Sequence, residues 1–328
     1  MGLRIRPFSH SDEADYATVV SIRNEITPEH PVTVEELRDA EKRRDPKCLR
    51  NRWIAEFEGT KKAVGFAYYG QSSWAYDPRR FNIGVSVRQD DQGSGYGRAL
   101  YDTVMSDLTL LEPMALHVSV REDWNRGRRF AEDRGFVEEM REWESCLEVA
   151  AFDSCAWEEA RARPDKEGID IRSFADLTSD PDRDRKFYEL MSQTFLDVPS
   201  TVPLTPPPFA RFQEQVLESP NFLPDGVMIA IDRASGRFVG SSEVSKRQSD
   251  RELETGLTGV LRDFRGRGIA LALKLKIIDF ASSIGTTVIR TENATTNHAM
   301  LSINERLGFV RQPAWIMLVK QFAESERV

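Results

Sequence analysis

The stretch Val260-Leu261-Arg262-Asp263-Phe264-Arg265-Gly266-Arg267-Gly268-Ile269-Ala270 decides how the rest of the chain is read. An apolar run from Leu257 to Leu261 meets a turn carrying glycines and arginines. A helix-grade run then extends from Ala270 to about Ser283. Strand, glycine turn and helix together build an anion site: glycines let successive N–H groups converge, and a helix start adds partial positive charge. Guanidinium forks match phosphate oxygens. A phosphorylated ligand is the expectation at this turn. A Gly-Arg-Gly turn also occurs in ordinary surface loops, so the surrounding chain has to decide.

Working outward, the same order of elements occurs twice. Residues 3–7 read as a strand and Glu13 to Asn24 as a helix. Thr33 to Lys42 is a second helix, opened by a capping box at Thr33 and Glu36. Trp53–Phe57 and Ala63–Tyr69 read as a strand pair, and Asn82–Val87 as the strand entering Gln92-Gly93-Ser94-Gly95-Tyr96-Gly97. A helix from Arg98, a strand at Ala115–Val120, a short helix and Gly135-Phe136 follow. The second half repeats this through Ile169–Arg172, Arg185–Phe195, Val227–Ile231, Phe238–Val244, the opening stretch, Thr287–Arg290, Ala299–Leu307 and Gly308-Phe309. Gly95 to Gly268 spans 173 positions, and so does Gly135 to Gly308. Two copies of one fold is the economical reading. A chain of 328 residues also favours two domains. The expected division is 1–150, a polar linker at 151–167 with a helix from Phe152 to Arg163 ended by Pro164, and 168–328.

Composition sets outer bounds. Apolar residues at 40% and charged residues at 30% fit a water-exposed globular chain. No apolar run reaches the roughly 20 residues that span a membrane, and the first residues lack a signal-peptide core. Cys48, Cys146 and Cys155 neither pair evenly nor show metal spacing, and the four histidines are scattered. A reducing cytoplasm and no metal are therefore expected. The formal charge of −8 disfavours nucleic acid and suits a cationic acceptor. A monomer or homodimer is expected.

On these residues the chain resembles the GNAT superfamily of acyl-CoA-dependent N-acetyltransferases. The family signature, Arg/Gln-x-x-Gly-x-Gly/Ala between strand and helix, is matched by Gln92 through Gly97 and again by Arg265 through Ala270. The later family element, an Asn-containing helix ending in Gly-Phe, is matched by Asn297 through Gly308-Phe309, and more loosely by Asn125 through Gly135-Phe136. As a tandem pair the chain is similar to mycothiol-synthase-like proteins. The resemblance implies an α/β (mixed α+β) sheet in two tandem GNAT domains, with acetyl-CoA as co-substrate and a primary amine on a small molecule as acceptor. Val260, Leu261, Arg262, Arg265, Gly266, Arg267, Gly268, Ile269, Ala270 and Asn297 would then hold coenzyme A in the second copy. Val87, Gln92, Gly93, Ser94, Gly95, Tyr96 and Gly97 would do so in the first. The N–H near Val260 would stabilise the oxyanion. A lysine-like amine has a pKa of about 10.4, so a base is needed near neutrality. By the resemblance that base is Glu254, while Glu243 on the preceding strand is a weaker base candidate, with surface charge as its default reading. Where many relatives keep a proton-donating tyrosine this chain has Asn304, which helical spacing turns inward with Met300 and Leu307.

The copies are not equal. Counting back 173 positions, Glu254 falls on Phe81 and Asn297 on Trp124. The second loop carries a net +2 (Arg262, Asp263, Arg265, Arg267) and the first carries none (Arg88, Asp90, Asp91, Arg98). Carboxylates beside a pyrophosphate would cost about 1 kcal/mol each. The second copy is therefore expected to be catalytic, with the Pro-rich segment Asp197–Pro208 shaping its acceptor pocket. Two rival readings stand: an acyl-CoA-binding sensor or scaffold without catalysis, and an acetyltransferase acting on protein amines.

Overall fold

Strand alternation and turn residues lay out the first half in the expected order. In the computed structural model, which describes residues 2–60, 62–247 and 251–322, it reads β1 (Leu3–Pro7), α1 (Glu13–Ile26), α2 (Val34–Lys42), β2 (Arg50–Phe57), β3 (Ala63–Gly70), β4 (Arg80–Val87), α3 (Tyr96–Thr109), β5 (Ala115–Arg121) and α4 (Asn125–Glu132). The capping box forms: Thr33 Oγ1 accepts from Glu36 N at 3.2 Å, and Glu36 Oε2 accepts from Thr33 N at 3.1 Å. After β6 (Val137–Glu148) and α5 (Glu158–Lys166) come β7 (Ile169–Ser173), α6 (Arg183–Phe195), α7 (Phe209–Phe212), β8 (Phe222–Asp232), β9 (Phe238–Lys246) and β10 (Glu252–Val260). The chain closes with α8 (Ile269–Ser283), β11 (Val288–Ala294), α9 (His298–Arg306), β12 (Val310–Arg311) and β13 (Trp315–Gln321).

The packing divides the chain into Met1–Glu139 with Ile316–Val328, and Met140–Trp315. The divisions therefore fall within β6 and at the start of β13, not in residues 151–167. That polar segment instead packs α5 within the second unit. Its helix is shorter than expected and runs through Pro164, which lies buried inside it rather than ending it. The ring costs one backbone hydrogen bond, but its apolar surface is covered.

In the first unit the strand order is β1-β2-β3-β4-β5-β13. One face carries a core built on Leu100, Tyr101, Val104 and Leu108 of α3, with Ile316 and Leu318 of β13 fully covered. The other face packs Tyr16, Val19 and Ile22 of α1 against Ile54 and Phe66. In the second unit the order is β6-β11-β10-β9-β8-β7, with β12 pairing β6. Here α8 buries Ile269, Leu273 and Ile277, and α6 buries Phe187, Leu190 and Met191. Each sheet thus takes one strand from beyond its own half of the sequence.

Both units share a feature that bears on function. Parallel pairing of β4 with β5 covers Arg80–Asn82 opposite Ala115–His117 and then stops, although both strands run on. Likewise β10 pairs β11 over Glu252–Glu254 opposite Val288–Arg290, and the strands then part. Parted strand edges leave backbone groups without ladder partners.

Candidate active site

In the second unit β10 delivers the chain to the glycine loop with its last backbone groups directed by strand alternation. Leu261 N donates to Val239 O at 2.9 Å, toward β9. The N–H and C=O of Val260 therefore point the opposite way, into the gap between β10 and β11. Arg265 Nε takes the Val260 carbonyl at 2.9 Å, which leaves the N–H available. Gly266 and Gly268 have φ of +78° and +80°, conformations that exclude ordinary side chains, and Gly268 caps α8 without a side-chain hydrogen bond. The amides from Gly266 into the first turn of α8 thus form an anion cradle. The first unit repeats the construction: Gly93 and Gly95 have φ of +85° and +87°, Arg88 N donates to Val64 O, and Gln92 Nε2 takes the Val87 carbonyl at 3.0 Å. Tyr96 and Gly97 then open α3 as Ile269 and Ala270 open α8, and Ser94 lies between the two left-handed glycines.

The arginines of the second loop are engaged. Asp197, just past α6, pairs with both Arg262 and Arg265, and those guanidiniums hold its carboxyl below the usual carboxylate range. Arg267 lies over the Phe264 ring and donates to Asp263 O. A further arginine comes from α5: Arg163 Nη2 donates to Gly266 O at 3.0 Å, and its Cδ lies 3.0 Å from where a Cβ on Gly268 would be. The polar segment that reads as a linker hides this contribution.

The face of the sheet turned to α6 carries the carboxylates. Ser241 donates to Met191 Sδ on α6, and a Cβ on Gly259 would strike Thr194 of the same helix. Alternation places Glu243 on that face with Ser241, and Glu254 on it opposite Ser245. The two carboxylates differ in surroundings. The Glu254 side chain is 45% exposed, with Arg247 Nη1 at 3.8 Å. Glu243 lies opposite a bulge: between the pairs Thr255↔Val244 and Thr258↔Ser242, residues Gly256 and Leu257 share one partner. Glu243 Oε1 accepts from Leu257 N at 3.2 Å and stands 2.5 Å from where a Gly256 Cβ would be. The residue keeps some exposed surface, but its carboxylate lies deep among protein atoms. Burial pushes it up to about 7, against the lowering effect of the Leu257 N–H. Nearby, Arg290 holds Glu252 and Glu144 at 2.7 Å each, and burial pushes the adjacent Cys146 thiol up to about 11. That thiol is a poor nucleophile.

The remaining expected residues lie on the opposite side. Asn297 is the N-cap of α9, its Oδ1 accepting from Met300 N at 3.3 Å, so only its amide nitrogen is left for a ligand. Asn304 is 2% exposed, as the helical spacing requires. Its Nδ2 donates to Asn293 Oδ1 at 2.6 Å, while its Oδ1 is buried without a partner. Asn293 lies on β11 beyond Arg290, where pairing with β10 has ceased. In the first unit Phe81 and Ala131, 173 positions before Glu254 and Asn304, are core residues, but Phe81 lies on the α3 face because β4 lacks the bulge that turns Glu254 to the α6 face. Trp124 caps α4 without a side-chain bond. Among the described residues no group of three or more His, Cys, Asp or Glu side chains is placed to hold a metal, and no helix is long and apolar enough to cross a membrane.

A sheet opened between two parallel strands, beside a glycine loop that starts a helix, defines an acyl-CoA N-acyltransferase fold. Residues 162–310 match the acetyltransferase (GNAT) domain model, and both units share the fold of a solved tandem GNAT protein. Among solved structures, a tandem GNAT protein from the clavulanic acid biosynthesis pathway superposes with a TM-score of 0.76 at 17% identity, covering 98% of each chain. A GCN5-related N-acetyltransferase from Sphaerobacter thermophilus gives 0.71 at 18% identity, covering 97% of this chain and 95% of that one. A GCN5-related glucosamine N-acetyltransferase region of a fungal multi-domain β-N-acetylglucosaminidase gives 0.74 at 15% identity, covering 97% of this chain and 38% of that one. At these identities the likeness is one of fold. No curated protein matches the chain in sequence.

Proposed function

We propose that the second unit transfers an acetyl group from acetyl-CoA to a primary amine on a small molecule, by direct attack with both substrates bound. The observation that carries this reading is the Val260 N–H directed into the gap between β10 and β11, next to the Gly266–Gly268 cradle. The cradle suits a pyrophosphate, since its left-handed glycines leave open space where Cβ atoms would stand at Gly266. Arg163 adds positive charge from α5, and Asn297 retains an amide N–H. The Val260 N–H is placed to stabilise negative charge developing on a carbonyl oxygen held in the gap. The α6-facing side supplies the carboxylates an ammonium acceptor requires, with Glu254, at the family position, and Glu243 as the candidates. The acceptor pocket would be bounded by the segment 197–208, which Tyr188 ties to α6 through Pro207 O at 2.9 Å. A small-molecule amine accords with the glucosamine N-acetyltransferase region among the structural neighbours. A cytoplasmic location accords with three cysteines that form no disulfide.

The first unit keeps the loop geometry but has Gly70 and Phe81 at the positions 173 residues before Glu243 and Glu254, neither of them a base, and we assign it acyl-CoA binding without catalysis. Asn304 favours one competing reading for the second unit, a sensor that binds acyl-CoA without turnover, because an amide donates no proton to a thiolate. Release of coenzyme A from acetyl-CoA, measured across a small-amine panel and a peptide panel with mass-spectrometric detection of product, separates these readings. Release that depends on an added small amine is expected. Binding without release in every arm would establish the sensor, and release with peptides alone would establish a protein-amine acceptor.

A further inference from the structure

We infer that Glu243, not Glu254, is the carboxylate that takes the acceptor's proton, a conclusion that rests on the acetyl-transfer reading above. The inference stands on the geometry of the bulge. An extra residue in β10 sets Gly256 and Leu257 opposite one residue of β9, and that residue is Glu243. Gly256 has no side chain, so the carboxylate folds over the strand into space that a Cβ would occupy at 2.5 Å. The Leu257 N–H fixes one oxygen at 3.2 Å. The bulge begins after Thr255, one residue past Glu254, the last residue of β10 that pairs with β11, so Glu243 lies level with the start of the gap. In the first unit β3 and β4 pair from Gly65↔Val87 to Gly70↔Asn82 in unbroken register. The bulge thus accompanies the copy that holds a carboxylate there.

The surroundings favour Glu243 as the proton acceptor. The side of Glu243 toward β8 is closed by Val227, its register partner, and α6 presents Met191 and Thr194 to the same face. The charged side chains sharing that face are Glu252 and Glu254 of β10, Arg247 just past β9, and Arg290 of β11, which is bonded to Glu252. Arg247 Nη1 lies 3.8 Å from Glu254 and its Nε 3.9 Å from Glu252, so both of those carboxylates already have a cationic partner. Glu243 has no such cation: burial raises it and only the Leu257 N–H opposes that. A carboxyl near neutrality is matched to accepting a proton at pH 7, whereas a solvated one is too weak a base.

The step balances as follows. The bound ammonium gives one proton to the Glu243 carboxylate, and the freed lone pair attacks the thioester carbonyl. The C–N bond forms and the C–S bond breaks, releasing the thiolate. The second nitrogen proton passes through solvent to that thiolate, and Glu243 returns its proton to water.

The test uses the full chain with Glu243→Gln, Glu243→Asp and Glu254→Gln. Infrared titration of the free protein reads protonated carboxyl, and kcat is measured against pH with acetyl-CoA and the best amine of the panel. A carboxyl titrating near pH 7 should vanish in Glu243→Gln and persist in Glu254→Gln. In the wild type kcat should rise with pH through about 7 and level off. Glu243→Gln should lose at least about 100-fold in kcat, Glu243→Asp less, and Glu254→Gln under about tenfold, on the scale of general-base removal. Acetyl-CoA affinity within about twofold of wild type shows that the variants are folded. Persistence of the titration in Glu243→Gln, or turnover within tenfold of wild type with the same pH limb, overturns the assignment while leaving acetyl transfer standing. A wild type with no amine-dependent release overturns the reaction and, with it, the assignment.

Discussion

Lys274 on α8 is 3% exposed, with its ammonium 5.2 Å from the centre of the Phe309 ring, and burial lowers its pKa to about 7. The unfolded chain would hold that proton up to an ordinary value of 10.5. Between these values the unfolded state binds more protons than the folded one, so this residue's contribution to stability rises with pH and is least favourable below 7. Lys274→Met should therefore raise the melting temperature at pH 7.5 by several degrees. The gain should shrink as pH approaches 10.5, read by thermal denaturation across that range. The position 173 residues earlier holds Tyr101, whose hydroxyl is buried without a hydrogen-bond partner among the described residues. Both units thus set a polar tip into the same core position.

At the scale of elements, Asp197 ties the end of α6 to the glycine loop by engaging Arg262 and Arg265 together. A pyrophosphate would compete with Asp197 for the same guanidiniums. Asp197→Asn should tighten acetyl-CoA binding by roughly three- to tenfold at low salt and steepen its salt dependence, measured by calorimetry. Weaker binding would mean instead that Asp197 holds the arginines in their working positions. The loops themselves were legible in the sequence because left-handed backbone admits almost nothing but glycine, and the glycines recur at a fixed spacing. The helices were legible through periodicity and the Thr33 cap. Glu243 was not. Its depth depends on α6 crossing the strand and on a bulge whose one local mark is Gly256. Nor was Arg163, since a polar helix reads the same whether it spans solvent or leans on a loop. Pro164 was misread for a related reason: burial can hold a proline inside a helix that local preference would end.

On the scale of the whole molecule, the exchanged strands were illegible for a definite reason. Adding 173 to the ends of β6 gives 310 and 321, the outer ends of β12 and β13. The two segments are equivalents in the repeat, and nothing in their patterning says which sheet each completes. The packing makes the consequence testable. Ile316 and Leu318 are 0% and 1% exposed in the core of the first unit. A chain ending at Trp315 should lose the cooperative unfolding of that unit, seen by circular dichroism as a lowered and broadened melt. A fragment 1–139 should fail to fold unless residues 316–322 are restored to it. Cooperative melting of the fragment alone would show that β13 is dispensable.

The same exchange reverses the order of maturation during synthesis. The amino-terminal half leaves the ribosome first, and domains usually fold in that order. Here the first sheet lacks its closing strand until residues 315–321 emerge. The unit translated first is therefore completed after the second, and it waits as an unsealed edge while the second unit is made.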